Sequence, residues 1–207
     1  MPVYKPILNP PTSRWACKGS MSNSNALKFV SSIFAAAPIV LRIHGRGGRL
    51  WKRNVAKGGR IGPWLQAEYE VLDEREWQRK GACLYLVGGR DSRVRYVGIS
   101  RNGLRHRWRT SPAYDAATMQ RLPKNQLFHS QCWKNIELET NSDSRAWFEV
   151  RSISLEPLLA VLETLGPPLS AFAALRDDGE SVVATVERWI CNNRSPDVAR
   201  WNIGMSR

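Results

Sequence analysis

The chain has 207 residues, of which 43% are hydrophobic, so it is long enough for one domain or for a small domain with an extension. Its 31 Lys and Arg outnumber its 18 Asp and Glu, which gives a formal net charge of +13. Enzymes of small metabolites rarely need this charge. A nucleic-acid partner explains it most simply, because cations that neutralise phosphates release condensed counterions.

Targeting and metal-binding signals are sparse. The N-terminus, "MPVYKPILNPPTSRW", lacks the basic and apolar regions of a signal peptide, and the most apolar stretch, residues 26–43, is interrupted by charge and proline. The four cysteines contain no Cys-x-x-Cys pair, which argues against a zinc site and fits reduced thiols. We therefore expect a cytoplasmic protein that does not bind a membrane.

The first 80 residues predict a basic extension that contacts DNA. Residues 26–37 are typical of a helix and residues 39–43 of a strand. Residues 44–64 then combine glycines, cations and two tryptophans, a combination that suits phosphate contacts and base stacking. The candidate DNA-binding residues of this segment are Arg46, Arg49, Lys52, Arg53 and Arg60.

A second helix is predicted over residues 66–79, "QAEYEVLDEREWQR", and Gly81 ends it. We place a boundary here, between an N-terminal basic extension, residues 1–80, and a catalytic domain, residues 81–207.

The catalytic domain begins with a predicted β-hairpin. Residues 82–88, "ACLYLVG", are typical of a buried strand, "GRDSR" has the composition of a turn, and residues 94–98, "VRYVG", fit the return strand. Each strand carries a tyrosine.

A helix capped by Asn102 is predicted to follow the hairpin, with Leu104, Arg107, Trp108 and Ser111 on one face. An arginine on this inward face needs an anionic partner, because a buried unpaired charge is costly. Two more arginines fall on the outer side and join the DNA-binding candidates: Arg105 and Arg109.

The remaining chain predicts two strands and two helices. The segments "NIELET", residues 135–140, and "WFEVRSI", residues 147–153, are interpreted as strands. Residues 155–165 and 180–193 have helical periodicity, and Glu187 lies beside the apolar stripe of the second helix. Two tyrosines, an inward arginine and a helical glutamate can together hydrolyse a phosphodiester, although each alone is more often structural.

The order of these residues resembles the GIY-YIG nuclease family. Cys83-Leu84-Tyr85 and Tyr96-Val97-Gly98 correspond to its two strand motifs, and "LRHRW" places an arginine on the following helix. The segment "TVERWICNNRSPDVARWNIG" is similar to the homing-endonuclease branch, with a glutamate and then an asparagine fifteen residues later. The resemblance covers about residues 82–204.

The resemblance implies an α+β fold, in which a small antiparallel β-sheet is flanked by helices, and it implies a role for each site residue. Tyr85 positions or deprotonates the attacking water, and Tyr96 supports it or shares the role. Arg107 holds the scissile phosphate. Glu187 binds Mg2+ or Mn2+, and Asn202 ties the C-terminal segment to the site by hydrogen bonds.

The sequence also departs from the family pattern. Cys83 replaces the first glycine, and Ser111 stands where a histidine or tyrosine is common. Two other glutamates, Glu156 and Glu163, are alternative metal ligands, but Ser170 stands where their asparagine is expected.

The function expected from these observations is that of a metal-dependent endonuclease, and specifically a type II restriction enzyme that cuts double-stranded DNA as a homodimer. A homing endonuclease is an alternative, although a long linker and a separate DNA-binding domain are expected of one. A nucleic-acid-binding module that kept the fold and lost cleavage is another.

Overall fold

The computed structural model of the protein describes residues 23–54, 59–128, 132–175 and 178–202. Within these segments the chain has the predicted α+β architecture, with helices packed on both faces of an antiparallel sheet. The strands are β1 (Ile39–Asn54), β2 (Gly59–Val71), β3 (Cys83–Gly89), β4 (Val94–Ser100), β5 (Thr110–Asp115), β6 (Arg121–Phe128) and β7 (Trp147–Ser154). The α-helices are α1 (Asn23–Ala36), α2 (Glu74–Gln78), α3 (Leu104–Arg107), α4 (Trp133–Ser142), α5 (Leu155–Leu165) and α6 (Gly179–Asn192), and 3-10 helices cover Leu169–Leu175 and Arg200–Asn202.

The long strand β1 joins the N-terminal segment to the predicted catalytic segment. The order along the sheet is β4-β3-β7-β1-β5-β6, and β2 pairs with β1 outside this path. One edge of β1 pairs with β2, whereas the other pairs first with β7 and then, through Leu50 and Trp51, with β5. All these pairings are antiparallel, so the N-terminal strands belong to the same sheet as the tyrosine hairpin.

The two faces of the sheet carry different cores, because successive side chains of a strand point to opposite faces. In β3, Leu84 and Leu86 contribute to a core with α1, α5 and α6, and we call this the helix face. Tyr85 and Val87 point the other way, together with Tyr96 of β4, and we call this the tyrosine face. The tyrosine face is covered by buried residues from α2, α3, α4 and the C-terminal segment, including Trp77, Leu104, Trp108, Trp133, Ile136 and Trp201.

Several predicted elements are confirmed. The helix near residues 26–37 is α1, the hairpin is β3–β4, and "WFEVRSI" is β7. The last two predicted helices are α5 and α6. Each has a strong local pattern, such as the apolar and β-branched residues of β7 or the stripe of Val183, Val186 and Ile190 in α6.

The helix predicted over residues 66–79 is wrong. The chain stays extended through Val71, because β2 pairs with β1 down to the Leu41–Val71 pair. The helix that follows, α2, is only five residues long, and the carboxylate of Asp73 caps it by accepting from the backbone N–H of Glu76 at 2.9 Å. Pairing with β1 overrides the helical propensity of Gln, Ala and Glu in this segment.

The strand predicted at "NIELET" is also wrong, because this segment lies inside α4. The buried residues of α4 are Trp133, Ile136 and Thr140, which are three and four positions apart and therefore share one helical face.

The basic, glycine-rich residues from 44 to 64 form the outer parts of β1 and β2 where they are described. Strands β1 and β2 pair as a two-stranded ribbon. A small third core joins the outer part of this β1–β2 ribbon to the β5–β6 hairpin, which was not predicted from the sequence, through Leu50, Ala113 and Leu127.

None of the helices in the described segments is long and apolar enough to cross a membrane.

Candidate functional site

Tyr85, Tyr96 and Arg107 meet on the tyrosine face. The antiparallel register places Tyr85 opposite Gly98 and Tyr96 opposite Val87, and the two phenol rings lie 5.9 Å apart, centroid to centroid. The Nε of Arg107 donates a hydrogen bond to the Tyr85 hydroxyl at 3.1 Å, and its guanidinium also hydrogen-bonds the Tyr96 hydroxyl. We call these three side chains the Tyr-Tyr-Arg cluster.

Gly98 provides the space in which the cluster forms. A Cβ atom at this position would lie 2.5 Å from the Tyr85 hydroxyl oxygen and 2.9 Å from a ring carbon of Tyr96. No side chain fits at such distances. The Tyr-x-Gly sequence of β4 therefore provides Tyr96 and, two residues later, a glycine that leaves space for the Tyr85 ring of β3.

Arg107 is positioned by a single helical turn. Leu104 and Trp108 are buried in the core of the tyrosine face, and Trp108 packs edge-on against Tyr85 with ring centroids 6.1 Å apart. Arg107, between them in sequence, is half-buried beside the phenols. The inward arginine therefore has two phenols as neighbours and an exposed side from which it can receive an anion.

Two details predicted for this helix are wrong. Gly103, with φ of 85°, occupies the N-terminal cap position in place of Asn102. Ser111 does not share a helical face with Arg107, because the helix ends at Arg107 and Ser111 lies in β5.

Burial raises the pKa of both phenols, which are protonated at neutral pH even with the ordinary tyrosine pKa. Burial raises the pKa of Tyr85 well above its ordinary value, nearby Tyr96 and Cys132 raise it further, and Arg107 opposes the shift. Burial also raises the pKa of Tyr96, with the same opposition from Arg107. In the protein alone both hydroxyls are therefore neutral hydrogen-bonding groups.

Cys132 is a neighbour of the cluster that sequence reasoning missed. Its thiol is fully buried immediately before α4, and its charge would raise the pKa of both phenols. Only knowledge that α4 packs on the tyrosine face could have placed it there.

Asn202 closes the edge of the sheet beside the cluster. Its side-chain oxygen accepts from the backbone N–H of Val97 at 3.0 Å, and its side-chain nitrogen donates to the Val97 carbonyl at 2.9 Å. β4 is the terminal strand of the sheet order, so the amide of Asn202 stands where a further strand would pair. The structure thus brings Asn202 to the residue between Tyr96 and Gly98.

An ionic network around the largely buried Arg95 holds this C-terminal segment in place. Glu139 of α4 accepts from Arg95 Nε of β4 at 2.8 Å, from Arg200, and from Trp201 Nε1 at 3.1 Å. Arg95, only 9% exposed, also binds Asp91. Three elements far apart in sequence therefore converge beside Asn202.

Glu187 lies on α6, half-buried next to the stripe that packs on the helix face. Cys191, one helical turn later and on the same side, has its sulfur 3.5 Å from the side-chain nitrogen of Asn202. Glu187 is therefore on the side of α6 that turns towards the edge of β4. The phenols project from the other face of the sheet, so any approach of this carboxylate to them runs around that edge.

The alternative glutamates lie differently. Glu156 and Glu163 are exposed on α5, whose buried residues Leu158 and Leu162 pack towards the sheet. Neither is placed beside Asn202 or β4 by these contacts.

Among the predicted site residues, Glu187 is the one carboxylate that could contribute to a metal site. Among the described residues, no three His, Cys, Asp or Glu side chains form a group able to hold a metal. Mg2+ commonly takes one or two carboxylates and completes its shell with water and phosphate oxygens. Glu187 can supply such a carboxylate, whereas both amide atoms of Asn202 are already bonded to Val97.

The predicted DNA-binding residues are dispersed. Arg49 of β1 is ion-paired with Glu137 of α4, and Lys52 is half-buried on the same strand. Arg105 and Arg109 are exposed beside α3. The side chains of the other three lie outside the described part of the structure: Arg46, Arg53 and Arg60.

Comparison with protein-family models, with curated proteins and with solved structures found no match to this chain.

Proposed function

We propose that the protein is a metal-dependent DNA endonuclease that hydrolyses phosphodiester bonds. The observation that carries this proposal is the meeting of Tyr85, Tyr96 and Arg107 around Gly98. Two phenols and a guanidinium in mutual hydrogen-bonding contact supply the groups that orient water and stabilise a phosphate, and the net charge of +13 suits a polyanionic substrate.

Arg107 holds the scissile phosphate in this mechanism. Its Nε is bonded to Tyr85, so the planar guanidinium is fixed and its remaining N–H groups can meet two non-bridging oxygens. Positive charge at these oxygens stabilises the additional negative charge of the transition state.

The tyrosines orient the attacking water, and we assign proton acceptance to Tyr96. Burial raises the pKa of both phenols, and Arg107 opposes the shift in each. Tyr85, fully buried and bonded to Arg107, therefore acts as a neutral positioning group. Arg107 lies beside Tyr96 and opposes the rise of its pKa, which favours the phenolate and the role of Tyr96 as general base.

Glu187 would hold Mg2+ or Mn2+, and the ion would supply positive charge that stabilises the leaving oxygen. Asn202 is a positioning residue, because its two hydrogen bonds fix the backbone of Val97 and therefore the neighbouring Tyr96 and Gly98.

The finer proposal is a type II restriction enzyme that cuts double-stranded DNA as a homodimer. It rests on the resemblance to the GIY-YIG family and on the basic β1–β2 ribbon, which is joined to the tyrosine hairpin through β7. Cutting both strands of a site is most simply done by two copies related by a two-fold axis.

A non-catalytic nucleic-acid-binding module is the second candidate. It is favoured by the low exposure of the phenols, 0% for Tyr85 and 2% for Tyr96. The half-buried Arg107 is then the most accessible member of the cluster.

Incubation of the purified protein with mixed plasmid and phage DNA, with Mg2+ or with EDTA, separates the two candidates. The nuclease produces discrete bands that need Mg2+. Glu187→Ala abolishes them, and the control Glu156→Ala retains them. Bands that survive in Glu187→Ala would move the metal ligand elsewhere. DNA binding without any cleavage would leave only the binding module.

A further inference from the structure

A cationic groove lies between α2 and α3, beside the Tyr-Tyr-Arg cluster. Its cavity has a volume of about 520 Å3, and its lining includes Trp77, Arg79, Lys80, Arg105, His106 and Arg109. We call it the α2–α3 groove. A volume of this size is typical of a ligand site.

The charge of the groove is not balanced by its own lining. Four Lys and Arg side chains line it, and no carboxylate does so among the described residues. Arg79 is neutralised by Glu76, with Nε 2.9 Å from the carboxylate, and Arg105 is held by the neutral amide of Gln78. The exposed charges of Lys80, Arg105 and Arg109 therefore create a positive potential that an anion relieves.

The groove is held rigidly. A Cβ atom at Gly103 would lie 2.1 Å from the Arg79 carbonyl oxygen, so the end of α2 and the start of α3 are in direct backbone contact. The hydroxyl of Ser100 donates to the Gly103 carbonyl at 2.7 Å and fixes the same loop to β4. Trp77, buried on the tyrosine face, anchors α2. The cations therefore project from a fixed frame, unlike those of a mobile loop.

The position of the groove relates it to the cluster. Arg105 and His106 directly precede Arg107, and Arg109 follows it by two residues. A nucleic-acid strand that presents one phosphate to Arg107 therefore has the groove next to it, where neighbouring phosphates can meet Lys80, Arg105 and Arg109.

We infer that the α2–α3 groove is a second backbone site, which binds the phosphodiesters next to the one held by Arg107. This inference rests on the proposed function for its ligand, DNA. The inference adds Lys80 and the end of α2 to the DNA-binding surface. The sequence predicted α2 as part of a longer helix, and none of its residues was among the DNA-binding candidates.

The test is DNA binding by the full chain as a function of salt. A fluorescein-labelled 30-base-pair duplex of mixed sequence is titrated with protein in EDTA at several NaCl concentrations, and anisotropy gives the binding constant. The groove variant combines Lys80→Gln, Arg105→Gln and Arg109→Gln. The control variant combines Lys28→Gln, Arg145→Gln and Arg188→Gln, which removes the same charge from exposed sites outside the groove.

The groove variant is expected to make the negative slope of log K against log salt less steep by about 2 to 3, because each phosphate contact contributes about 0.9 to its steepness. The control variant is expected to change it by less than about 1. Thermal unfolding of both is expected to match the wild type, since the altered side chains are exposed. Equal slopes for the two variants, or a wild type that does not bind the duplex, overturn the inference.

Cleavage of plasmid in Mg2+, measured on the same preparations, distinguishes the two proposals. If the protein never cuts DNA but the groove variant binds with a weaker salt dependence, the groove proposal stands and the nuclease proposal is refuted. If the protein cuts DNA but the groove and control variants bind alike, the nuclease proposal stands and the groove proposal is refuted.

Discussion

Replacing Gly98 with alanine tests the packing that forms the cluster. The new methyl carbon would lie 2.5 Å from the Tyr85 hydroxyl oxygen, 2.6 Å from its Cζ and 2.9 Å from Cε1 of Tyr96. These contacts are with rings that are at most 2% exposed, so neither ring can move into solvent. Either β4 shifts away from β3, or the phenols separate and the hydrogen bond from Arg107 is lost.

The expected cost follows from these alternatives. Overpacking a filled core costs about 1–3 kcal/mol, and loss of a hydrogen bond to a charged group costs about 1.5–3 kcal/mol. Since either alternative can occur, we expect Gly98→Ala to lower the free energy of unfolding by about 1–3 kcal/mol. Urea denaturation followed by tryptophan fluorescence measures this change.

Gly59→Ala is the matched control, because nothing lies within 4 Å of a Cβ atom at that position of β2. We expect it to change stability by less than about 1 kcal/mol. The double variant Gly98→Ala with Tyr85→Phe removes the closest contact and should recover part of the loss. A Gly98→Ala protein as stable as Gly59→Ala would refute the reasoning.

Two further predictions concern the sheet edge and the phenols. Asn202→Ala leaves the buried N–H and C=O of Val97 without their partner, so we expect a loss of about 2–4 kcal/mol in urea denaturation, whereas a loss below about 0.5 kcal/mol would contradict the edge contact. The raised pKa values of Tyr85 and Tyr96 favour their neutral forms in the folded state, so their contribution to stability is complete below the ordinary tyrosine pKa and is lost as the pH rises through the folded values. Stability should therefore fall at alkaline pH more steeply in the wild type than in a variant with both tyrosines changed to phenylalanine, and equal slopes in urea denaturation would contradict this.

The parts of the fold that could be predicted from the sequence have local signals. The β3–β4 hairpin is two apolar runs around a turn, and α6 has its apolar residues at helical spacing. The centre of the candidate site also has a local signal, since Tyr85, Tyr96 and Arg107 lie on consecutive elements. The hairpin register brings the two tyrosines together, and the next helix brings Arg107 to them.

The predictions that were wrong concern segments whose structure depends on contacts with residues distant in sequence. Residues 66–71 have helix-forming composition, and only pairing with β1 makes them a strand. The "NIELET" segment alternates over six residues, but the buried face of α4 is defined by Trp133, two residues before it. The length of α3 is set by the start of β5 at Thr110, which no local signal marks.

The position of Glu187 was beyond sequence reasoning for a similar reason. Its spacing from Asn202 suggested a shared site, but the face of α6 on which it lies depends on how the helix packs. The contact of Cys191 with Asn202 places Glu187 towards the edge of β4, and no sequence pattern indicates that contact.

The central claim is that the Tyr-Tyr-Arg cluster is catalytic. The most direct test is the single-turnover rate of plasmid cleavage in Mg2+ by Arg107→Ala, compared with Arg188→Ala, which removes the same charge from the exposed side of α6. We predict a loss of about 100-fold or more for Arg107→Ala and a near wild-type rate for Arg188→Ala, with both proteins folded. Equal cleavage rates in the two variants would show that Arg107 is only structural and would contradict the claim.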